Sequence, residues 1–378
     1  MTPGIPKIIR LSKSSIGLAE KQAVMGVLDR EYLGMGAEVQ RFERALGDFF
    51  GRTALCVSNG TAAVQLAVQG CGIGAGDEVL VPSLTYVASF QAISAMGATP
   101  VACDIDPHSC ILDWRDAERR LTEHTKAVMP VHYSGGVGDI DGIYAFAKSN
   151  GLRVIEDAAH AFGTLHGGRR VGSFGDVACF SFDGIKNITS GEGGCVVTDD
   201  PMVLARIQDA RLLGVVKDTE KRYTGQRSWE FDVTDQGWRY HMSNIMAAIG
   251  IEQLARFPAM AETRQLRARE YDGLLNGHSR ITPLPRDYAN VVPHIYPVRI
   301  SGMGNRQALQ AKLMTHGIQT GFHYQPNHDL SLYRGRAAGL PLPVTDAVCV
   351  ELLTLPLHAD LTAQDVETVC AHLTALVQ

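Results

Sequence analysis

The chain has few of the features that mark nucleic-acid-binding, membrane or disulfide-bonded proteins. Its formal net charge of −5 is spread without blocks of one sign, so there is no basic footprint for nucleic acid. No apolar run approaches the ~20 residues that span a bilayer. The eight cysteines form no C-x-x-C pair and match no zinc-site spacing, so we expect buried thiols and no metal site. We therefore expect a cytoplasmic protein without nucleic-acid or membrane partners.

Internal repeats, low-complexity tracts and linkers rich in Pro, Gly or Ser are also missing. A chain of 378 residues is nevertheless too long for one ordinary core, since single cores stop growing near roughly 250–300 residues. We predict a large domain over residues 1–250 and a smaller one over residues 251–378. This prediction allows the amino-terminal segment to pack on the small domain although it belongs to the large one.

Short apolar runs alternate with helical patterns over the first 250 residues, which predicts an α/β fold with a mostly parallel sheet. The predicted strands are 78–81, 99–103, 127–131, 152–155, 177–182 and 194–198, and the helices are 62–69, 87–96, 140–149 and 243–257. The short Gly-rich loop between the last two strands indicates an antiparallel pair. Strands at 294–300 and 317–323 and a helix at 365–376 predict a smaller α+β domain.

Ser58-Asn59-Gly60-Thr61 stands directly before a helical run. A glycine in a tight turn that opens a helix exposes unpaired backbone N–H groups at the positive end of the helix dipole, which suits a phosphate. By itself the motif is also typical of a plain helix cap.

An apolar strand ends in acidic residues at Val154-Ile155-Glu156-Asp157. Ligands of open α/β sheets collect at the carboxyl ends of strands, and a carboxylate there favours the protonated form of a heteroaromatic nitrogen. In isolation Asp157 would more often be a helix cap or a surface carboxylate.

Lys186 lies between the apolar run that ends in Ser181 and the glycine-rich stretch Gly191-Glu192-Gly193-Gly194. A partly desolvated lysine has a lowered pKa and a free amine that attacks carbonyl carbons, and Ser181 adds a hydroxyl to the phosphate site. A phosphate site, an acid for a ring nitrogen and an amine for an aldehyde are the groups that pyridoxal 5′-phosphate requires.

With these motifs the chain resembles the pyridoxal-phosphate-dependent sugar-nucleotide aminotransferases of the DegT/StrS type over nearly its whole length. Further stretches that carry the resemblance are Leu33-Gly34-Met35-Gly36, Gly76-Asp77-Glu78-Val79, Glu156-Asp157-Ala158-Ala159, Phe180-Ser181-Phe182 and Leu355-Pro356-Leu357-His358. The resemblance implies the aspartate-aminotransferase fold (fold type I) with a mostly parallel seven-stranded sheet, and a homodimer whose active sites lie at the interface.

The resemblance also implies roles for single residues. Lys186 would carry the cofactor as a Schiff base, and Asp157 would pair with the pyridine nitrogen. The other matching positions are Gly60, Thr61 and Ser181 at the phosphate, and Tyr86 and Ala159 on the two faces of the ring.

Two positions depart from the commonest pattern. His160 replaces a glutamine after Asp-Ala-Ala and is able to hydrogen-bond the phenolic oxygen of the cofactor. Arg239, in Gly237-Trp238-Arg239-Tyr240, replaces an asparagine that reaches the phosphate from the neighbouring subunit. The branch of the family that makes 4-amino-4-deoxy-arabinose nucleotides shares both features, which favours a 4-keto sugar.

We therefore expect a ping-pong aminotransferase that passes an amino group from L-glutamate to a nucleotide-linked ketosugar. A sugar dehydratase on the same fold is the first alternative, although such relatives carry histidine in place of Lys186. A regulatory protein that senses pyridoxal phosphate is the second. A nicotinamide-dependent oxidoreductase is the third, and the absence of G-x-G-x-x-G after the first strand counts against it.

Overall fold

The computed structural model describes residues 8–335 and 340–378; residues 1–7, at the start of the predicted large domain, and residues 336–339 lie outside the described ranges. The helices are α1 Leu18–Asp29, α2 Ala37–Phe50, α3 Gly60–Gly70, α4 Val87–Ala95, α5 Trp114–Arg119, α6 Ile140–Ser149, α7 Pro201–Ala210, α8 Asp218–Tyr223, α9 Asn244–Leu275, α10 Arg306–Thr315, α11 Pro343–Glu351 and α12 Ala363–Leu376. The strands are β1 Ala54–Val57, β2 Glu78–Pro82, β3 Thr99–Cys103, β4 Thr125–Val128, β5 Arg153–Asp157, β6 Leu165–His166, β7 Arg169–Arg170, β8 Val177–Ser181, β9 Gly194–Val197, β10 Ile281–Pro283, β11 Tyr296–Ile300 and β12 Leu352–Leu355.

A seven-stranded sheet in the order β1-β9-β8-β5-β4-β2-β3 organises the first part of the chain. Neighbours from β8 to β3 pair in parallel, and β9 is antiparallel to both β8 and β1. Only β9 is therefore reversed within this sheet. The predicted α/β fold with a mostly parallel sheet is confirmed, as is the antiparallel pair formed by the strands on either side of Lys186.

Helices cover both faces of the large sheet because successive strand residues point to opposite sides and both sides are apolar. One layer packs on α3, α4 and α7 and contains Val79, Val81, Ala127, Ile155 and Cys179. The opposite layer packs on α6 through Leu80, Val128 and Val154 and on α2 through Cys56, Phe180 and Val197. Because both faces of the sheet are apolar, polar residues are left to the ends of its strands.

The second part of the chain contains an antiparallel sheet in the order β10-β11-β12. Its apolar core includes α10, α12 and the second half of α9, together with Ile9 from the amino terminus. Ile9 forms a backbone bridge with Ile318. Because α9 runs through residue 250 without a break, the division into residues 1–250 and 251–378 stays a prediction.

Two predicted strands differ from the structure. The strand predicted over 127–131 ends at Val128 in β4, since Pro130 has no N–H to donate to a ladder. The strand predicted over 317–323 is wrong, because this segment forms only single bridges, to Ile9 and Thr354. Gly317 there has a φ of +74°, which ends α10 in a turn and breaks the extended backbone. The strands β1, β6, β7, β10 and β12 were not predicted.

Within residues 8–335 and 340–378, no helix has the length and apolar character needed to cross a membrane. The eight cysteines are unpaired, and all except the half-buried Cys71 are buried. Burial raises the pKa of these thiols, for example that of Cys179. They act as small apolar side chains in the core, as the sequence pattern predicted.

A buried ion pair ties α2 to the end of α7. Arg211 is completely buried, and its guanidinium donates at 2.5 Å to Glu43 and at 2.8 Å to the carbonyl oxygen of Cys56. Glu43 also accepts from the backbone N–H of Cys56 and from the Tyr223 hydroxyl. The pair thereby anchors α2 and α8 to the first strand of the sheet.

We predict that Glu43→Gln lowers the free energy of unfolding by about 3 kcal/mol, because it leaves the buried Arg211 charge uncompensated. Urea unfolding at equal protein concentration measures this change. Glu38→Gln is the matched control: its partners Arg30 and Arg41 are exposed, so the loss should stay below about 1 kcal/mol. Equal losses of unfolding free energy in the two variants would show that the buried ion pair stabilises the fold no more than the exposed one.

Candidate active site

A cavity of about 500 Å³ opens at the carboxyl ends of the parallel strands, where ligands of such sheets bind. Eight of the nine predicted site residues line it: Gly60, Thr61, Tyr86, Asp157, Ala159, His160, Ser181 and Lys186. They come from the turns after β1, β2, β5 and β8. The sheet thus brings together four motifs that are up to about 126 residues apart in the chain. Loops held by a rigid sheet commonly carry binding and catalytic residues in this way.

Asp157 is the last residue of β5 and is buried. Its Oδ2 accepts a hydrogen bond from the Ser89 hydroxyl at 2.7 Å, and its Oδ1 accepts one from the backbone N–H of Ala159 at 3.2 Å. The Thr85 hydroxyl lies 2.9 Å from that of Ser89. These contacts fix the orientation of the carboxylate in the cavity wall, where it is able to stabilise a positive charge on a bound ring.

Lys186 lies five residues after the end of β8, and its side chain is half-buried in the cavity. Burial lowers the pKa of its amine to about 8, although the charges of Asp157 and Asp183 act in the opposite direction. Its Nζ is 3.4 Å from Nε2 of His294. Near neutral pH about a tenth of this amine is therefore unprotonated, far more than for a lysine in water, and this neutral form is the nucleophile.

The first turn of α3 forms the opposite wall. The Asn59 side chain accepts a hydrogen bond from the N–H of Ala62 at 2.8 Å and caps the helix. A Cβ atom at Gly60 would lie only 2.7 Å from Cβ of Ser181, so glycine is needed for this close approach. The backbone N–H groups of the helix start and the Ser181 hydroxyl consequently face one small volume, which suits a phosphate.

A third wall consists of histidine and tyrosine side chains. Nδ1 of His160 accepts a hydrogen bond from the N–H of Ser134 at 3.4 Å, so the neutral ring carries its proton on Nε2. That nitrogen donates to the Tyr324 hydroxyl at 2.9 Å. The rings of His160 and His294 are 4.5 Å apart. Burial holds the pKa of both imidazoles well below the ordinary value, so both rings are neutral.

Tyr86 is at the start of α4 and remains 58% exposed. Its ring centroid is 5.5 Å from that of Tyr324. A large aromatic ring held in a cavity wall with this much free surface is available for stacking on a planar ligand. Ala159 also lines the cavity.

The lining charges do not suit a phosphate by themselves. Asp157, Asp183 and Glu192 are acidic, whereas Lys186 is the basic residue of the lining. Burial, with a smaller contribution from Asp183, raises the pKa of the Glu192 carboxyl. Burial also lowers the pKa of the remaining imidazole, His323, to about 4. A dianionic ligand in this cavity would need cations from outside the lining.

Arg239 is the one predicted site residue that this chain does not bring to the cavity. It is exposed and lines a separate cavity of about 120 Å³ beside Arg222 and His241. The role predicted for Arg239, at the phosphate in a neighbouring subunit, stays a prediction.

Several residues that line the cavity or support its lining have no counterpart in the predicted set. Ser89 and Thr85 support Asp157, and His294 contacts Lys186. Ser89 stands three residues after Tyr86, so helical periodicity could have placed both on one face of α4. His294 precedes β11 without a motif of its own, so the sequence contains no signal for its position.

Comparisons with known proteins agree with this geometry. Residues 14–374 match the model of the DegT/DnrJ/EryC1/StrS aminotransferase family. The aminotransferase TlmJ from Streptoalloteichus hindustanus is 32% identical, with a TM-score of 0.89 over 97% of this chain and 98% of that one.

Two further solved structures have the same fold. PseC of Helicobacter pylori, an aminotransferase involved in the biosynthesis of pseudoaminic acid, is 26% identical with a TM-score of 0.90 over 98% of this chain and 99% of that one. Spr1654 from Streptococcus pneumoniae in its PLP-form is 28% identical with a TM-score of 0.90, and 98% of each chain is covered.

We predict that Gly60→Ala weakens the binding of pyridoxal phosphate about tenfold, because the added methyl group pushes Ser181 out of place at a cost of roughly 1–3 kcal/mol. Absorbance or fluorescence titration of the cofactor-free protein measures the dissociation constant. Gly273→Ala is the control, since no atom lies within 4 Å of its new Cβ. Unchanged affinity in Gly60→Ala would contradict the phosphate site at the start of α3.

Proposed function

The chain belongs to the DegT/DnrJ/EryC1/StrS aminotransferase family, and we propose that it moves an amino group from L-glutamate to a nucleotide-linked 4-ketosugar. It is a sugar aminotransferase of the aspartate-aminotransferase fold whose cofactor is pyridoxal 5′-phosphate. The observation that carries the proposal is the convergence of Lys186, Asp157 and the Gly60 turn in one cavity.

The cavity fits the cofactor on each of its sides. The backbone of Gly60 and Thr61 and the Ser181 hydroxyl would hold the phosphate. Asp157, fixed by Ser89, would pair with the pyridine nitrogen. The remaining contacts would be Tyr86 and Ala159 on the two faces of the ring and His160 at the phenolic oxygen. The Nε2 proton of His160, donated to the Tyr324 hydroxyl in this structure, would then be donated to the phenolic oxygen instead.

When bound, pyridoxal phosphate supplies an electron sink for the bonds at Cα of the amino acid. With the cofactor bound, the Lys186 amine would take up the Cα proton of the donor as a general base and give it back as a general acid. Its depressed pKa keeps both protonation states accessible near neutral pH. Asp157 holds the proton on the pyridine nitrogen throughout.

The second half-reaction uses the same groups in reverse order. A ketosugar takes the place of the amino acid, and Lys186 returns a proton to the carbon that gains the amine. The neutral rings of His160, His294 and His323 are hydrogen-bonding groups without charge, and they would orient sugar hydroxyls. His323 and Tyr324 line the cavity, and we propose that they contact the sugar.

We further propose that the enzyme is a homodimer in which Arg239 of one chain serves the cavity of the other. The cavity lining has three carboxylates and one amine, whereas the cofactor phosphate and a nucleotide diphosphate both need cations. Arg239 is exposed and lies outside its own cavity. A guanidinium supplied across a symmetric interface would correct this charge balance.

A cytoplasmic location also belongs to the proposal. Seven cysteines are buried as free thiols, and thiols persist in reduced form in that compartment. Nucleotide-linked sugars are charged and hydrophilic, so an enzyme that uses them needs an aqueous compartment.

The direct test follows each half-reaction separately. With L-glutamate alone, the purified enzyme should release a single equivalent of 2-oxoglutarate per site and then stop. Addition of nucleotide-linked 4-ketosugars with UDP, dTDP or GDP should restore turnover with one of them, and mass spectrometry should find an amine in place of the carbonyl oxygen. Failure to react with glutamate would overturn the donor, and loss of a sugar hydroxyl without gain of nitrogen would indicate a dehydratase.

Hybrid dimers test the role of Arg239. Lys186→Ala and Arg239→Met chains with different affinity tags are co-expressed, and the mixed dimer is purified. If Arg239 acts across the interface, one site of the mixed dimer is intact, and it should have about half of the wild-type activity while the parent variants are inactive or weak. A mixed dimer no more active than its parents would place both residues in the site of the same chain.

A further inference from the structure

Arg264 is a buried cation that the proposed reaction does not use. It lies in α9 and is 2% exposed. The buried Arg120 and Arg211 form ion pairs with Asp116 and Glu43. Among the residues that the structure describes, no carboxylate forms an ion pair with Arg264. Buried charges without a partner are costly, so this one needs a reason.

The guanidinium of Arg264 contacts the backbone around the reactive lysine. Nη2 donates to the carbonyl oxygens of Lys186 at 3.4 Å and of Ile185 at 3.5 Å. Nη1 donates to the carbonyl oxygens of His294 at 3.1 Å and of Leu357 at 3.5 Å. Nε, also buried, has no hydrogen-bond partner. One side chain therefore joins the lysine segment to the segments that carry His294 and Leu357.

We propose that Arg264 is a positioning residue that clamps the Lys186 segment and whose positive charge, without an ion-pair partner, shifts the Lys186 amine towards its neutral, nucleophilic form. The inference rests on the proposed function, in which Lys186 is the reactive amine. Two positive charges that share a buried region repel each other, and arginine keeps its proton far more strongly than lysine. Lysine is then the group that loses its proton.

Burial is the largest cause of the lowered Lys186 pKa, and among the surrounding charges Arg264 acts in the same direction. The ionisable groups that face its amine are Asp157, Asp183, Arg264, His160, His294 and His323. The two aspartates favour the protonated amine, and the three imidazoles are neutral because burial lowers their pKa values. Arg264 opposes the aspartates, and burial lowers its own pKa to about 10 against the field of Asp360.

The test measures the pKa of Lys186 without cofactor or substrate. The full-length protein freed of cofactor is labelled with an amine-reactive acylating reagent between pH 6 and 10. Peptide mass spectrometry then gives the labelling rate at residue 186 alone. The wild-type midpoint is expected near 8. Arg264→Met and Arg264→Gln should raise it by about one pH unit, since removal of a nearby like charge favours the ammonium form.

Arg264→Lys separates charge from clamping. It keeps the positive charge but loses the fork of donors, so its Lys186 midpoint should stay near that of the wild type. Arg286→Met is the control, because Arg286 also donates to carbonyl oxygens, those of Ser109 and Tyr133, but exerts no field on Lys186. Its midpoint should not move, and melting temperatures confirm that each variant is folded.

The outcomes decide the inference. A raised midpoint in Arg264→Met and Arg264→Gln together with an unchanged one in Arg264→Lys supports it, and the Gln and Lys variants suffice if the Met variant does not fold. An equal rise in all three variants would show a purely structural clamp, and no rise in any would show that Arg264 does not act on Lys186. Neither result would affect the assignment of the aminotransferase reaction, since the labelling uses no cofactor.

Discussion

Withdrawal of the Lys186 amine from water is the constraint on which the rest of the site depends. In bulk water a lysine side chain is almost entirely in its ammonium form at neutral pH, and the ammonium form cannot attack a carbonyl carbon. The structure lowers its pKa to about 8 by burial and surrounds it with imidazoles that burial keeps neutral. The carboxylate of Asp157, which we propose pairs with the ring nitrogen, opposes this effect, so the site balances the two demands.

The large sheet fixes the relative positions of the groups involved in this balance. β5 ends in Asp157 and the neighbouring β8 ends in Ser181, so the proposed partner of the ring nitrogen and the proposed phosphate contact are held by adjacent parallel strands. The reversed β9 returns the chain after Lys186 and keeps that segment short. Gly194 in β9 has no room for a side chain, since its Cβ would lie 2.7 Å from the carbonyl oxygen of Asn59. Rigid elements thus set the separations on which proton transfer depends.

Much of this arrangement could be predicted from sequence, because the decisive residues stand in local motifs. Lys186, Asp157 and Gly60 each follow an apolar strand, and strand ends meet at one edge of a parallel sheet. Helical periodicity with Tyr86 could have indicated Ser89, whereas His294 could not be predicted, since packing of the segment before β11 brings it to the cavity. Arg264 also had no signal, because its partners are carbonyl oxygens, which every residue has. The predicted strand over 317–323 was wrong because a turn at Gly317 outweighs local β propensity.

The central claim, that Lys186 holds the cofactor, is tested most directly by chemical trapping. Reduction of the cofactor-loaded protein with borohydride makes a lysine–pyridoxyl bond permanent, and peptide mass spectrometry then locates it. We predict a single modified site at Lys186 and none in the Lys186→Ala variant. A pyridoxyl group on another lysine, or none on a protein that still binds the cofactor, would contradict the account.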